Sequence, residues 1–165
     1  MMSFESERFS MRPLQVEDEQ FFISLYRDPN VMKHIAAPFS MTQAEEFFNA
    51  ALNVDMTNDI RQIIWVIIDK QTQEKLGIQS IIIFSKKQKN AEAGLILIKE
   101  VHGKGYAVEL FKRMIEFGLN ELHLPQIDTF CDSKNLPAVK GILAVGFVKI
   151  SEAEQSHFSI DSARQ

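Results

Sequence analysis

Apolar residues recur along this chain with two different periods, and the switches between them mark out the elements. Residues 8–14 alternate and end at Pro13, which predicts a strand. From Val16 to Tyr26 the apolar residues Phe21, Phe22, Leu25 and Tyr26 return at helical spacing, and Asp28-Pro29-Asn30 breaks that helix. A second short helix is expected from Val31 to Ile35. Ser40-Met41-Thr42-Gln43 has the form of a capping box, opening a third helix that carries Ala44, Phe47, Phe48 and Ala51.

The middle of the chain changes to β-branched and aromatic runs. Residues 61–69 and 76–84 predict two strands joined by the polar turn 70–74, and 91–99 predicts a third. The basic turn Lys86-Lys87-Gln88-Lys89-Asn90 reads as a solvated hairpin tip. Three neighbouring strands with short turns must pair antiparallel. A helical period then runs from Ala107 to Leu122, placing Leu110, Phe111, Met114 and Gly118 on one face; a glycine there marks a close approach to a sheet. The strand expected at 126–131 is reached by this helical crossover and so runs parallel to 91–99. Pro137 suits the first turn of a helix reaching Val145, Gly146 ends it, and 147–150 with 155–160 form a closing hairpin, with a loose tail from Asp161. The expected architecture is an α/β chain of α+β type. It has a mixed, mostly antiparallel sheet, helices on both sides and one β-α-β unit.

The chain has 165 residues, enough for one domain with a substantial core, and we read residues 1–165 as a single domain. A formal net charge of −4 argues against a nucleic-acid binder that relies on a basic surface. A single cysteine, Cys131, rules out an internal disulfide and suits a reducing compartment. No apolar run approaches the ~18 residues of a membrane span, and the opening residues are polar and charged, so the expected location is cytoplasmic. His34, His102, His123 and His157 lack the spacing of a metal site, so no metal is expected.

The chemistry concentrates in Val101-His102-Gly103-Lys104-Gly105-Tyr106-Ala107, between a strand and a helix. Two glycines allow a sharp turn and let a ligand approach the backbone with no Cβ in the way. The first N–H groups of the next helix have no partner inside it and carry the positive end of its dipole, which favours a phosphate. Neither a P-loop nor a complete dinucleotide fingerprint fits, and a ligand-free turn is the alternative.

Glu92-Ala93-Gly94-Leu95, followed by His102-Gly103-Lys104-Gly105-Tyr106-Ala107, Asn135-Leu136-Pro137-Ala138 and Gly146-Phe147, resembles the acetyl-CoA-binding core of the GNAT N-acetyltransferases. The branch it resembles most contains the ribosomal-protein N-terminal acetyltransferases. The opening Arg8-Phe9-Ser10-Met11-Arg12-Pro13-Leu14, with Glu17-Asp18 and Asp28-Pro29-Asn30-Val31, is similar to the family's first strand and helix. The resemblance implies a GNAT-type sheet in which strands 91–99 and 126–131 splay to admit the pantetheine arm. It also implies acetyl-CoA as co-substrate and a small-molecule amine or protein N-terminus as acceptor; many relatives form homodimers. The N-terminal helices would line the acceptor side, leaving Phe39, Phe47 and Phe48 as pocket or core.

Carried over residue by residue, the resemblance assigns the cofactor contacts to Leu95, Ile96, Leu97, His102, Gly103, Lys104, Gly105, Tyr106, Ala107 and Asn135. A backbone N–H among Leu95, Ile96 and Leu97 would bond the thioester oxygen. His102 stands where this branch often has Trp and also reads as packing at the turn. Asn135 is equally suited to cap a helix. Glu92 matches the family's acidic strand position and is the candidate base, with an ordinary exposed glutamate as the alternative. Glu100, where the superfamily often has Gln or Arg, is a second acid. No hydroxyl stands at Ala138 or Ile142, so protonation of the leaving thiolate is left to Ser133, to Tyr106 or to water. That gap keeps a catalytically weak acyl-CoA-binding module as a second reading.

Overall fold

The computed structural model describes residues 3–53, 61–84 and 90–164. Eight strands form one sheet: β1 (Phe4–Glu5), β2 (Phe9–Pro13), β3 (Arg61–Asp69), β4 (Lys75–Ile83), β5 (Asn90–Leu97), β6 (Gln126–Asp132), β7 (Val148–Ser151) and β8 (Gln155–Asp161). Their order across the sheet is β1-β2-β3-β4-β5-β6-β8-β7. Among the described residues, only β5 and β6 pair in parallel. The helices are α1 (Glu19–Arg27), α2 (Pro29–Met32), α3 (Met41–Leu52), α4 (Tyr106–Glu116) and α5 (Leu136–Val145).

Two apolar clusters hold the layers together. On one face Phe22, Leu25, Val31, Met32 and Phe48 of α1–α3 pack on Ile64, Val66 and Ile78 of the sheet. On the other face Leu110, Phe111 and Met114 of α4 pack on Trp65, Ile81, Ala93 and Ile127. Gly118 sits against the sheet as its placement in the periodic pattern implies: an added Cβ would lie 2.6 Å from Ile127 Cδ1 and 3.1 Å from Ile81 Cδ1.

Several boundaries differ from the sequence reading. Asp28-Pro29-Asn30 starts a helix as well as ending one: the Asp28 carboxylate accepts from the N–H groups of Asn30 and Val31, and Pro29 opens α2. Ser40 and Gln43 close their capping box as expected. The long helix after the glycine turn is α only to Glu116, and Phe117–Glu121 continues it as a π turn. The tail ends in a 3₁₀ turn, Ser162–Arg164, tied by the Ser162 N–H to the Pro125 carbonyl at 3.2 Å. β1 went unforeseen because Phe4 is its sole apolar anchor. Its ring stacks on Phe117 at 4.3 Å and meets the Trp65 edge at 5.3 Å. The basic turn at 86–90 falls, but for Asn90, outside the described residues.

Asp18 fixes the start of α1 to the sheet. It is fully buried, takes two hydrogen bonds from Arg12 of β2 and pairs with Lys75 of β4 at 2.6 Å. Burial alone would raise its pKa, but the hydrogen bonds from Arg12, Lys75 and the Gln15 N–H outweigh that and bring it to about 2.

Candidate active site

Parallel pairing between β5 and β6 lasts for three residue pairs, Asn90↔Gln126, Ala91↔Ile127 and Glu92↔Asp128. One further bond joins the strands, from Thr129 Oγ1 to the Ala93 carbonyl at 2.9 Å. Beyond it β5 stays paired only with β4, while β6 stays paired with β8 as far as Asp132. The two strands therefore part, leaving a wedge whose apex is Ala93 and Thr129.

Strand geometry decides which backbone groups face that wedge. The Ile98 N–H bonds Leu76 of β4, and the Ile96 carbonyl crowds Gly77 of β4. Even-numbered residues thus turn their main-chain groups toward β4, and odd-numbered ones toward β6. Of the three residues singled out from the sequence, Leu95 and Leu97 present their N–H groups to the gap. Ile96 does not, and its side chain packs with the α1–α3 cluster.

At the open end lies the glycine turn. Gly103 and Gly105 have φ of 76° and 75°, the left-handed region that side chains disfavour. A Cβ added to either would meet nothing within 4 Å, so no side chain plugs the turn. Gly105 caps α4, whose first N–H groups open onto this space together with the exposed Lys104 and Ala107. His102 braces the turn: its Nε2 lies 2.9 Å from the Leu97 carbonyl, which can only accept, so this nitrogen carries the proton. The Tyr106 ring points elsewhere, under the Arg8 guanidinium at 4.5 Å and against Phe9 at 4.9 Å. Packed toward β2, it is two strands from the wedge, and only its backbone remains at the turn.

Asn135 caps α5, its Oδ1 accepting from the Ala138 N–H at 3.4 Å. Ser133 donates its hydroxyl to the Ala153 carbonyl and sits 2.8 Å from Ser156 Oγ. Its hydroxyl thereby joins the end of β6 to the β7–β8 connection. Cys131 is half-buried, and burial together with the nearby Asp132 charge pushes its thiol up, away from thiolate. Glu100 lies exposed in a 3₁₀ turn.

Glu92 occupies the last paired position before the wedge, on the face opposite α4. Burial, then the charge of Asp128, raises its pKa, while His157 works against them. The sequence reading missed both neighbours, because only strand register places them beside Glu92. The same face carries Asp132, whose Oδ2 meets His34 Nδ1 at 2.7 Å across the connection between α2 and α3. That hydrogen bond holds the Asp132 carboxyl below its ordinary range. On the same side Tyr26 is buried among Phe22, Phe39 and Phe47, which pushes its hydroxyl pKa up. Phe48 is core and Phe47 and Phe39 are partly buried around it.

Known proteins share this fold. The profile of the acetyltransferase (GNAT) domain matches residues 8–148. The N-acetyltransferase p20 of Bacillus licheniformis, itself uncharacterized, is 26% identical over 151 residues, covering 90% of this chain and 84% of its own. A GNAT-family acetyltransferase structure from Bacillus anthracis superposes with a TM-score of 0.80 at 19% identity, over 97% of this chain and 98% of that one. The spermidine N-acetyltransferase of Vibrio cholerae, solved in complex with CoA and spermine, gives 0.79 at 24% identity, over 95% and 97%. The profile runs from the first long strand, through both sides of the wedge, to the start of the final hairpin, and the chain belongs to the GNAT acetyltransferase family.

Proposed function

We propose that this chain transfers an acetyl group from acetyl-CoA to a primary amine, both held at once in a ternary complex. The observation that carries the reading is the parting of β5 from β6 beyond Glu92 and Asp128, with an unplugged glycine turn at its mouth. In this reading the amides of residues 103–107 and Lys104 hold the diphosphate. Leu95 and Leu97 offer N–H groups to the pantetheine arm and the thioester carbonyl, and Asn135 flanks the arm. Acetyl-CoA supplies the activated thioester. The protein supplies proximity and orientation, which account for much of the rate in acyl transfer. Glu92 takes a proton from the acceptor ammonium. With no hydroxyl at 138 or 142 and the Ser133 proton donated to Ala153, the leaving thiolate takes its proton from water.

The acceptor side favours a cation. Glu92, Asp128, Asp132 and Asp161 share one sheet face, and the Vibrio cholerae relative, a spermidine N-acetyltransferase, is bound to spermine. A polyamine is therefore the first acceptor to try. The motif order that resembles ribosomal-protein N-terminal acetyltransferases makes a protein α-amine the second. The absence of a dedicated acid favours one other reading, an acyl-CoA-binding module with little turnover.

Calorimetry with CoA on the wild type and on Gly105→Glu tests the cradle. The variant places bulk and negative charge at a turn that is now open, and binding should be lost. Retained affinity would remove the diphosphate assignment. Thiol release from acetyl-CoA with spermidine, spermine and peptide α-amines separates enzyme from module: acceptor-dependent release supports the enzyme, and binding without release supports the module.

A further inference from the structure

Glu92 has neighbours that its proposed role does not use. Asp128 stands directly across from it in the parallel register, on the same face, one strand spacing of ~4.8 Å away. Gln126 Nε2 donates to Asp128 Oδ1 at 2.9 Å, which holds that carboxylate by one oxygen. Oδ2 lies 3.5 Å from His157 Nε2 on β8. The His157 ring is held in place by stacking on Phe130, with centroids 4.7 Å apart and planes 13° from parallel. Its Nε2 is buried yet makes no hydrogen bond, so an imidazole nitrogen is kept beside the acid without being committed to it.

The three groups are strung along the sheet and do not converge as metal ligands do. On the β4 side the register partner of Glu92 is Ile82, which carries no charge. Among the described residues, the other titratable groups on this face of β6 and β8 are Asp132, bound to His34, and Asp161 at the end of β8. Asp128 and His157 are therefore the titratable neighbours that act on Glu92.

We infer that Asp128 and His157 are positioning residues for the base at Glu92, acting on it in opposite directions through their opposite charges. The inference rests on the reading of Glu92 as the proton acceptor. A fixed negative charge beside Glu92 makes its carboxylate hold a proton more readily. An imidazolium on the other side of Asp128 does the reverse, so gain of a proton by His157 weakens the base and loss of it restores the base.

Carbon-detected NMR titration of Glu92 in the intact protein reads this without needing an acceptor. Asp128→Asn keeps an oxygen for the Gln126 amide and should lower the Glu92 midpoint by about half a unit to one unit. His157→Gln should raise it, most clearly at pH values where the wild-type ring is charged. Shifts of opposite sign support the inference; no shift, or shifts of one sign, overturn it. The acid limb of kcat/KM on an active amine should move in the same two directions. Should either variant fold poorly, Asp128→Ser and His157→Asn supply the same comparison, with a lowered midpoint expected for the first and a raised one for the second. A midpoint that stays put in the folded variants contradicts the inference. Glu92→Gln separates this from the parent reading. If that variant keeps full turnover, Glu92 is not the base. If it is inactive while the other two leave the midpoint unmoved, Glu92 stands and its tuning does not.

Discussion

At the scale of single residues, the strongest commitments are two buried polar side chains of opposite standing. Asp18 is fully paired, and its carboxyl sits at about 2, below the unfolded value near 3.9. A depressed acid contributes stability above its unfolded pKa and loses it as pH falls through the folded one. The contribution is about 2.6 kcal/mol, lost progressively as pH falls from about 5 to about 1. Asp18→Asn leaves Arg12 and Lys75 facing a neutral amide at the base of α1, at a cost of about 3–5 kcal/mol by urea unfolding at pH 7. Gln79 is the reverse case: 1% exposed, beneath α4, with neither amide atom hydrogen-bonded. Gln79→Leu removes an unsatisfied amide at similar volume and should raise stability by about 1–3 kcal/mol. A loss in the same unfolding experiment would mean the amide has a use the core does not explain. Residue chemistry was legible in the sequence where it is local. Pro137, Gly146 and the Ser40 cap act within their own segments. Asp128 and His157 were not legible, since their meaning comes from strands that meet only after folding.

Among the elements, the connection from α2 to α3 is tied to the end of β6 by His34 and Asp132, 98 positions apart in sequence. The bond fastens the α2–α3 connection to the strand on the far side of the wedge. His34→Ala should speed amide exchange over residues 33–39 and raise the Asp132 carboxyl toward its ordinary range, read by NMR titration, with the Lys134 N–H still bonded to it. Acid should act likewise in the wild type, but only below the usual carboxylate range, because the bond persists until Asp132 itself takes a proton. Unchanged exchange in the variant would show that the aromatic cluster alone holds this connection. Element identities followed from periodicity, and their ends did not. The break at Asp28 is also a start, and the helix past Glu116 widens into a π turn. Both outcomes depend on packing partners that no local pattern contains.

For the molecule as a whole, the sequence order of strands and helices was enough to foresee a mixed sheet clad on both faces, because hairpin and crossover rules leave few topologies. The resemblance added the wedge, which composition and spacing do not encode. Binding of CoA should raise the melting temperature, equivalent to about 2.7 kcal/mol at a hundredfold excess over Kd. Gly105→Glu should show no such rise.

The wedge also means that the eight strands are not one continuous fabric. Beyond Thr129 the sheet is two panels, β1–β5 and β6-β8-β7, hinged on three residue pairs and one hydroxyl, with α4 laid across as a splint through Phe111 and Phe147. Such a crease can flex without melting either panel. A guest lodged in it would act as mortar, so the empty protein should breathe there most and the filled one least.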